Sequence, residues 1–289
     1  MSLTEDYVRV SRRKRCPICG KADWCLISRD GDFAICPRTP SDHEVGQSGF
    51  KHALTGEAAA KIKVYAASVA LLPPPPVIDA TAVAEEFQHE IRDDALAAHA
   101  ASLGVSVDSL VALGIGYSEQ RDAWSFPMRS GGGPIIGIRL RNAKAKKWAI
   151  TGSLNGLFYS PAALRGAKTI LFPEGPTSTA ALMDLGYVTV GRCAARGSAR
   201  DVLVILNAYK PDLVVIVGDV DAPDKNGHQA GIEGAGDLAN KVWSVNGWKT
   251  KLIFPRRGKD SRAWLQAGAT RAEVDAMISN APLWLGRDK

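Results

Sequence analysis

From Val83 to Leu113 apolar side chains recur three or four positions apart, at Val83, Phe87, Ile91, Leu96, Leu103, Leu110 and Leu113. That spacing brings each side chain back to one face of a helix, so the segment predicts helical structure with a break near Gly104. Between residues 123 and 160 the pattern changes to the runs WSFPM, PIIGIRL, KKWAI and GLFYS, separated by Gly-rich turns, which predict β structure. From Lys168 the short runs TILF, YVTV, LVVIV and KLIF alternate with helical stretches at 176–185, 200–209 and 230–246. Apolar strands with helices between them predict a parallel α/β sheet covered on both faces. A last helix is expected from Thr270 to Ser279, and it and the following Pro282-Leu283-Trp284-Leu285 are taken as a core cap in preference to a docking tail.

Ahead of all this, Trp24 to Ser28 and Phe33 to Cys36 flank Arg29-Asp30-Gly31-Asp32, a hairpin turn. An Ala-rich stretch and then Pro73, Pro74, Pro75 and Pro76 form a stiff, extended linker over 57–80. It separates a small module, 1–56, from a mixed segment, 81–167, an α/β segment, 168–265, and a helical tail, 266–289. There is no internal repeat.

Composition narrows the class. Hydrophobic residues make up 46% and charged residues 23% of the 289, a globular balance that excludes a disordered chain. No apolar run approaches the ~18 residues of a membrane-spanning helix. The N-terminal MSLTEDYVRVSRRKR lacks the apolar core of a secretion signal, so a cytoplasmic setting is expected. The net charge of +6 permits an acidic partner, and its distribution says more. Residues 9–15 carry five basic side chains, Ala123 to Lys168 contains no acid at all, and 212–237 is rich in Asp and Glu.

Two constellations carry chemistry. Cys16-Pro-Ile-Cys19-Gly has zinc-knuckle spacing. In an unbulged hairpin centred on Asp30-Gly31, Cys25 pairs with Cys36, with Cβ atoms roughly 4.5–5.5 Å apart on one face. Cys16, Cys19, Cys25 and Cys36 are therefore the expected zinc ligands, with His43 and His52 as alternatives for the fourth place. Cys193 is expected to be an ordinary core thiol. The second constellation is acidic. Glu174-Gly175 follows TILF, and Asp219-Val220-Asp221 follows LVVIV. Parallel sheets place their sites beyond the carboxyl ends of the strands, so these three side chains should meet at one edge. Carboxylates without His or Cys suit Mg²⁺ or Mn²⁺, with phosphate oxygens completing the shell. The chain lacks G-x-x-x-x-G-K-[ST], H-E-x-x-H and G-x-S-x-G, so no P-loop motor, zincin or nucleophile elbow is expected.

Phe172-Pro173-Glu174-Gly175, then helix, strand and helix, then Val217-Gly218-Asp219-Val220-Asp221 resembles a Toprim domain, and Gly231 to Ala235 resembles the glycine-led helix that follows it. Lys259-Asp260 resembles the lysine-aspartate that closes the metal site in Toprim primases. Gly137-Ile138-Arg139-Leu140-Arg141, Lys146-Lys147-Trp148 and Gly156-Leu157-Phe158-Tyr159 are similar to the basic subdomain of DnaG-type and phage primases, which also begin with a zinc ribbon. The resemblance implies an α/β architecture: a Toprim parallel-sheet domain preceded by a mixed α+β basic subdomain and a small β zinc ribbon. It further implies a DNA primase that makes short RNA primers on single-stranded DNA from ribonucleoside triphosphates. Glu174, Asp219, Asp221 and Asp260 would be catalytic, with Mg²⁺ or Mn²⁺ on Glu174, Asp219 and Asp221. Arg139, Arg141, Lys146 and Lys147 would track nucleic-acid phosphates, with Trp148 as a stacking face or, equally, core. A replicative helicase would be a separate chain. The alternatives are a Toprim metal-dependent nuclease and a zinc-ribbon DNA-binding adaptor without catalysis. The loop Pro223 to Gln229 and the arginines of Gly191-Arg192-Cys193-Ala194-Ala195-Arg196-Gly197 depart from the family pattern.

Overall fold

The computed structural model describes residues 7–41, 43, 45, 49–60, 78–194, 198–225 and 227–286. The chain divides into two compact units, Met1–Pro75 and Pro76–Lys289.

The first unit is a four-stranded antiparallel sheet in the order β1 (Tyr7–Arg9), β2 (Leu26–Ser28), β3 (Phe33–Cys36), β4 (Phe50–Ala53). The turn between β2 and β3 is fixed by Asp30, whose carboxylate accepts from Ser28 Oγ at 2.5 Å and from the Asp32 amide at 2.9 Å. Gly31 takes the left-handed φ of 80° that this turn requires. The resulting register, Leu26↔Ile35 and Ile27↔Ala34, sets Cys25 opposite Cys36. The buried cluster is small: Val10, Ile27 and three cysteines, with Ile18, Cys19 and Leu54 packed against them. The predicted linker does not begin as a linker. Residues 56–60 are helical, Thr55 Oγ1 accepts from the Ala58 amide at 3.1 Å, and Ala58 is fully buried. The rest of the linker, 61–77 with its four prolines, lies outside the described residues.

The second unit opens with α1 (Ala80–His89), capped by Asp79, whose carboxylate accepts from the amides of Thr81 and Ala82. α2 (Asp93–Leu103) stops at Gly104, which adopts φ 66°, and α3 (Val107–Ala112) follows. The predicted helical stretch is thus three helices, with a further interruption before Asp93. β5 (Gly116–Ser118), β6 (Ala123–Arg129), β7 (Ile135–Asn142), β8 (Lys147–Ala149), β9 (Leu157–Phe158) and β11 (Gly191–Arg192) make a six-stranded antiparallel sheet ordered β11-β9-β6-β7-β8, with β5 beside β6. Alternation sorts its side chains. Ala123, Ile138 and Leu140 pack under Ala84 and Phe87 of α1, while Phe126, Met128 and Phe158 meet Leu96, Leu103 and Leu110 on the other face.

β10 (Thr169–Phe172), β12 (Leu213–Val217) and β13 (Thr250–Ile253) form a parallel sheet in that order. Ile170, Phe172, Val214 and Ile216 point to α5 (Ala199–Tyr209) and α6 (Ala230–Asn246). Leu171, Val215, Val217 and Ile253 point instead to Leu182 of α4 (Pro176–Asp184), Trp264 of α7 (Ser261–Gln266) and Val274 of α8 (Arg271–Asn280). Burial on both faces is why the central strand, β12, is apolar at every position. The predicted strand YVTV behaves differently. Val188 O and Val190 N bond to Leu171, but Gly191 and Arg192 pair with β9 in the other sheet. The segment therefore stitches the two sheets together. Gly191 lies so close to α4 that a Cβ there would sit 2.0 Å from Thr179 Oγ1. At the C-terminus Leu283 bridges Lys251, and Trp284 Nε1 donates to Asn240 Oδ1 at 3.0 Å, so this segment caps the core.

Candidate active site

Three strand ends supply the acids. β10 runs into Pro173 and Glu174, and Gly175 turns the chain at φ 77° into α4. β12 runs into Gly218 and the Asp219-Val220-Asp221 loop. Gly218 and Gly231 permit close packing here: a Cβ on Gly218 would stand 2.4 Å from the Phe254 ring, and one on Gly231 would stand 2.5 Å from the Asp219 carbonyl oxygen. The Val220 amide donates to the Lys259 carbonyl at 2.7 Å, which ties the third loop to the second. Asp260 then caps α7, accepting from the Ala263 amide at 2.8 Å.

Three carboxylates, Glu174, Asp260 and Asp221, lie within electrostatic reach of Asp219. Burial pushes Asp219 up to about 7, and the charges of Glu174, Asp260 and Asp221 push in the same direction, against the pull of Arg192. Asp219 Oδ1 is buried and has no hydrogen-bond partner among the described residues. These acids are the all-oxygen donors a hard divalent cation takes and Asp219 keeps an unsatisfied inner oxygen, but among the described residues only the cysteine group has its ligand atoms within 4.8 Å of one another, so the acids would have to draw together around an ion.

A basic wall faces this rim. In β7 and β8 Arg141 pairs with Lys147. Desolvation lowers Lys147, and Arg141 and Lys259 lower it further, while Glu174 and Asp260 oppose them. Arg141 is lowered by desolvation and by Arg262, with Asp260 opposing. The site thus joins the acids of the parallel sheet to cations of the antiparallel one.

The remaining expected nucleic-acid contacts are placed differently. An Arg139 guanidinium nitrogen donates to the Cys193 carbonyl at 3.1 Å. Trp148 pairs with Leu140 on the opposite face from Lys147 and packs against the cluster of Phe87 and Ile138, which is the core alternative. The Lys146 ammonium lies 5.8 Å from the Trp148 ring centre. Sequence reasoning noted Arg192 only as a departure and missed Arg262. The signal for Arg192 was its offset from YVTV, which puts it in register with Glu174.

In the first unit the sulfurs of Cys16, Cys19, Cys25 and Cys36 lie within 4.8 Å of one another. Cys25 Sγ is 3.6 Å from Cys19 Sγ and 3.8 Å from Cys36 Sγ. Zn–S bonds of ~2.3 Å in a tetrahedron demand edges of about 3.8 Å, so the cluster fits zinc. The Lys21 backbone N–H draws Cys19 down to about 6, whereas burial pushes the Cys25 thiol up. Arg38 donates toward Cys25 Sγ at 3.6 Å and pairs with Asp23 at 2.8 Å. His52 Nε2 is engaged with the Thr39 carbonyl at 3.0 Å, and His43 is outside the cluster. Cys193 is half-buried, with Sγ 3.3 Å from Ser198 Oγ.

No family model matches the chain, and no curated protein matches it. Solved structures do. A DnaG primase catalytic domain bound to ssDNA is 16% identical, with a TM-score of 0.55 over 70% of this chain and 77% of that one. A DNA primase domain from Pseudomonas aeruginosa is 17% identical, with a TM-score of 0.55 over 71% of this chain and 78% of that one. The zinc-binding and RNA polymerase domains of the Aquifex aeolicus primase are 13% identical, with a TM-score of 0.53 over 93% of this chain and 78% of that one. The chain has the fold of a DnaG-type primase: a small β unit with a cysteine cluster, then a mixed α/β core containing a parallel sheet. Among the described residues no helix is long and apolar enough to cross a membrane.

Proposed function

We propose that this protein is a DNA primase, joining ribonucleoside triphosphates into short RNA primers on a single-stranded DNA template. What supports the reading is that Glu174 and Asp219 follow the ends of β10 and β12, with Asp221 and Asp260 within electrostatic reach of Asp219 and with Lys147 and Arg141 within reach of the acids. Phosphoryl transfer to a 3′-hydroxyl is mainly positioning and charge neutralisation, and the site supplies both. Asp219 and Asp221, with Glu174 and the closing Asp260, would hold Mg²⁺ or Mn²⁺. When bound, the ion neutralises the triphosphate and lowers the pKa of the attacking hydroxyl. Lys147 and Arg141 would take phosphate oxygens of the nucleotide or template, and Lys259 would flank them. The ssDNA-bound DnaG domain supports a single-stranded template as partner. The cysteine unit would hold zinc and read the template, and duplex unwinding would be left to a helicase on another chain.

The test is to incubate the protein with Mg²⁺ or Mn²⁺, single-stranded DNA and labelled ribonucleotides. Short labelled oligomers that require the template are expected. Shortened DNA without labelled product would assign the same acids to a nuclease, and a mobility shift alone would leave a binding adaptor.

A further inference from the structure

Arg38 follows the end of β3 at Cys36 and turns its guanidinium onto the cysteine cluster. Its Nη1 lies 3.6 Å from Cys25 Sγ and 3.9 Å from Cys19 Sγ. The same nitrogen donates to the Asp23 carbonyl at 2.9 Å, and Nη2 donates to Asp23 Oδ1 at 2.8 Å. Nη1 has two hydrogens, so one serves Asp23 and the other is left to face the two sulfurs. The planar fork is thus held by Asp23 on one side and presented to the cluster on the other. Asp23 is itself fixed: its carbonyl also accepts from the Cys25 amide at 2.8 Å, across a turn in which Trp24 takes a φ of 62°. The grip on Arg38 therefore belongs to the segment that supplies Cys25. Arg15, beside Cys16, donates instead to the Gly20 carbonyl at 3.3 Å.

We propose that Arg38 is a positioning residue that caps the Cys19 and Cys25 sulfurs and keeps zinc in the cluster by shielding them from thiol-directed attack. This rests on the reading of the four cysteines as a zinc site. Four thiolates around one Zn²⁺ leave surplus negative charge, which a guanidinium offsets. Cys16, Cys25 and Cys36 are buried, whereas Cys19 is partly open to solvent, so a reagent meets Cys19 first. A hydrogen bond from a cationic N–H draws electron density from a thiolate and makes it a poorer nucleophile. A lysine could supply the charge, but one ammonium cannot hold Asp23 twice and face two sulfurs in a fixed plane.

The experiment treats the zinc-loaded full chain with excess iodoacetamide beside a chromogenic zinc chelator. Alkylation forms a sulfur–carbon bond and expels iodide, and the neutral thioether then gives up the metal. Cys193 lies outside the cluster and adds nothing to the zinc signal. Arg38→Met should release zinc about tenfold faster than the wild type, the scale of losing an outer partner of a metal ligand. Arg38→Lys should recover part of that loss. Arg12→Met, which removes an exposed cation, should change release by less than about twofold. A second readout separates capping from a loosened fold. With Co²⁺ in place of zinc, the sulfur-to-cobalt charge-transfer band of Arg38→Met should move to lower energy, because its thiolates are more electron-rich. Arg38→Ala gives the same comparison should the Met variant fail to load metal. Release at the wild-type rate, an unmoved cobalt band, or a Lys variant as fast as Met would overturn the proposal and leave the zinc and primase readings standing. A wild type that holds no zinc would overturn the zinc reading, and this proposal with it.

Discussion

Asp219→Asn is expected to lower primer synthesis by about 10³-fold, the scale lost when a main electrostatic stabiliser leaves an active site, while affinity for single-stranded DNA stays within about twofold. The asymmetry follows from position. Asp219 is the carboxylate whose titration registers Glu174, Asp221 and Asp260, and its Oδ1 is buried without a hydrogen-bond partner among the described residues. Asn preserves the shape of the side chain and the close packing of Gly231 against the Asp219 backbone, but removes the anionic oxygen that a divalent ion needs. DNA affinity comes from phosphate contacts by basic side chains, and none of those is altered. Incorporation of labelled ribonucleotide and fluorescence anisotropy of labelled DNA, measured on the same preparation, separate the two effects. Synthesis at the wild-type rate would remove Asp219 from the chemistry.

Stripping the metal from the cysteine cluster, or making Cys25→Ser, is expected to unfold the first unit. Besides the three buried thiols, its buried apolar residues among those described are Val10, Ile27, Ala34, Ile35 and Ala58, too little apolar surface to offset the ordering of some fifty residues. Structural zinc contributes about 10–16 kcal/mol of apparent binding energy in zinc-finger peptides, which becomes folding energy where no preformed site exists. The second unit has its own cores on both faces of two sheets and should melt unchanged. Limited proteolysis of the full chain after chelation should cut rapidly within residues 7–54 and leave a stable fragment of the second unit. Cys25→Ser should copurify with less than about a tenth of an equivalent of zinc. Retention of stoichiometric zinc by that variant would transfer the fourth ligand elsewhere.

Much of this architecture was legible because its determinants are local. The hairpin register follows from the length of the loop between β2 and β3, and that length sets Cys25 opposite Cys36. The acids were legible because Glu174 and Asp219 each follow an apolar run, and a buried parallel strand must end at the sheet rim. What stayed hidden depends on partners far along the chain. Trp148 and Lys147 are neighbours in sequence, and which of them faces the acids is decided by the turn after Asn142, not by residue type. Arg139 looked like a phosphate contact, yet its guanidinium bonds a carbonyl more than fifty residues away. YVTV has the composition of a fourth parallel strand, but Gly191 diverts the chain into the other sheet, and that diversion buries Arg192.

The central claim, that these carboxylates crowd together to hold a divalent cation, is tested most directly by thermal melts of wild type and Asp219→Asn across pH 4 to 8. A carboxyl held at about 7 in the folded state and near 3.8 when unfolded binds more protons folded, so its ionisation costs stability as pH rises through that window. Without divalent cation, Asp219→Asn should therefore be the more stable protein at pH 8, by on the order of 3 kcal/mol, and the gap should close toward pH 4. Millimolar Mg²⁺ at pH 8 should stabilise the wild type and leave the variant nearly unmoved. Parallel melting curves for the two proteins at every pH, with the same response to Mg²⁺, would contradict the account.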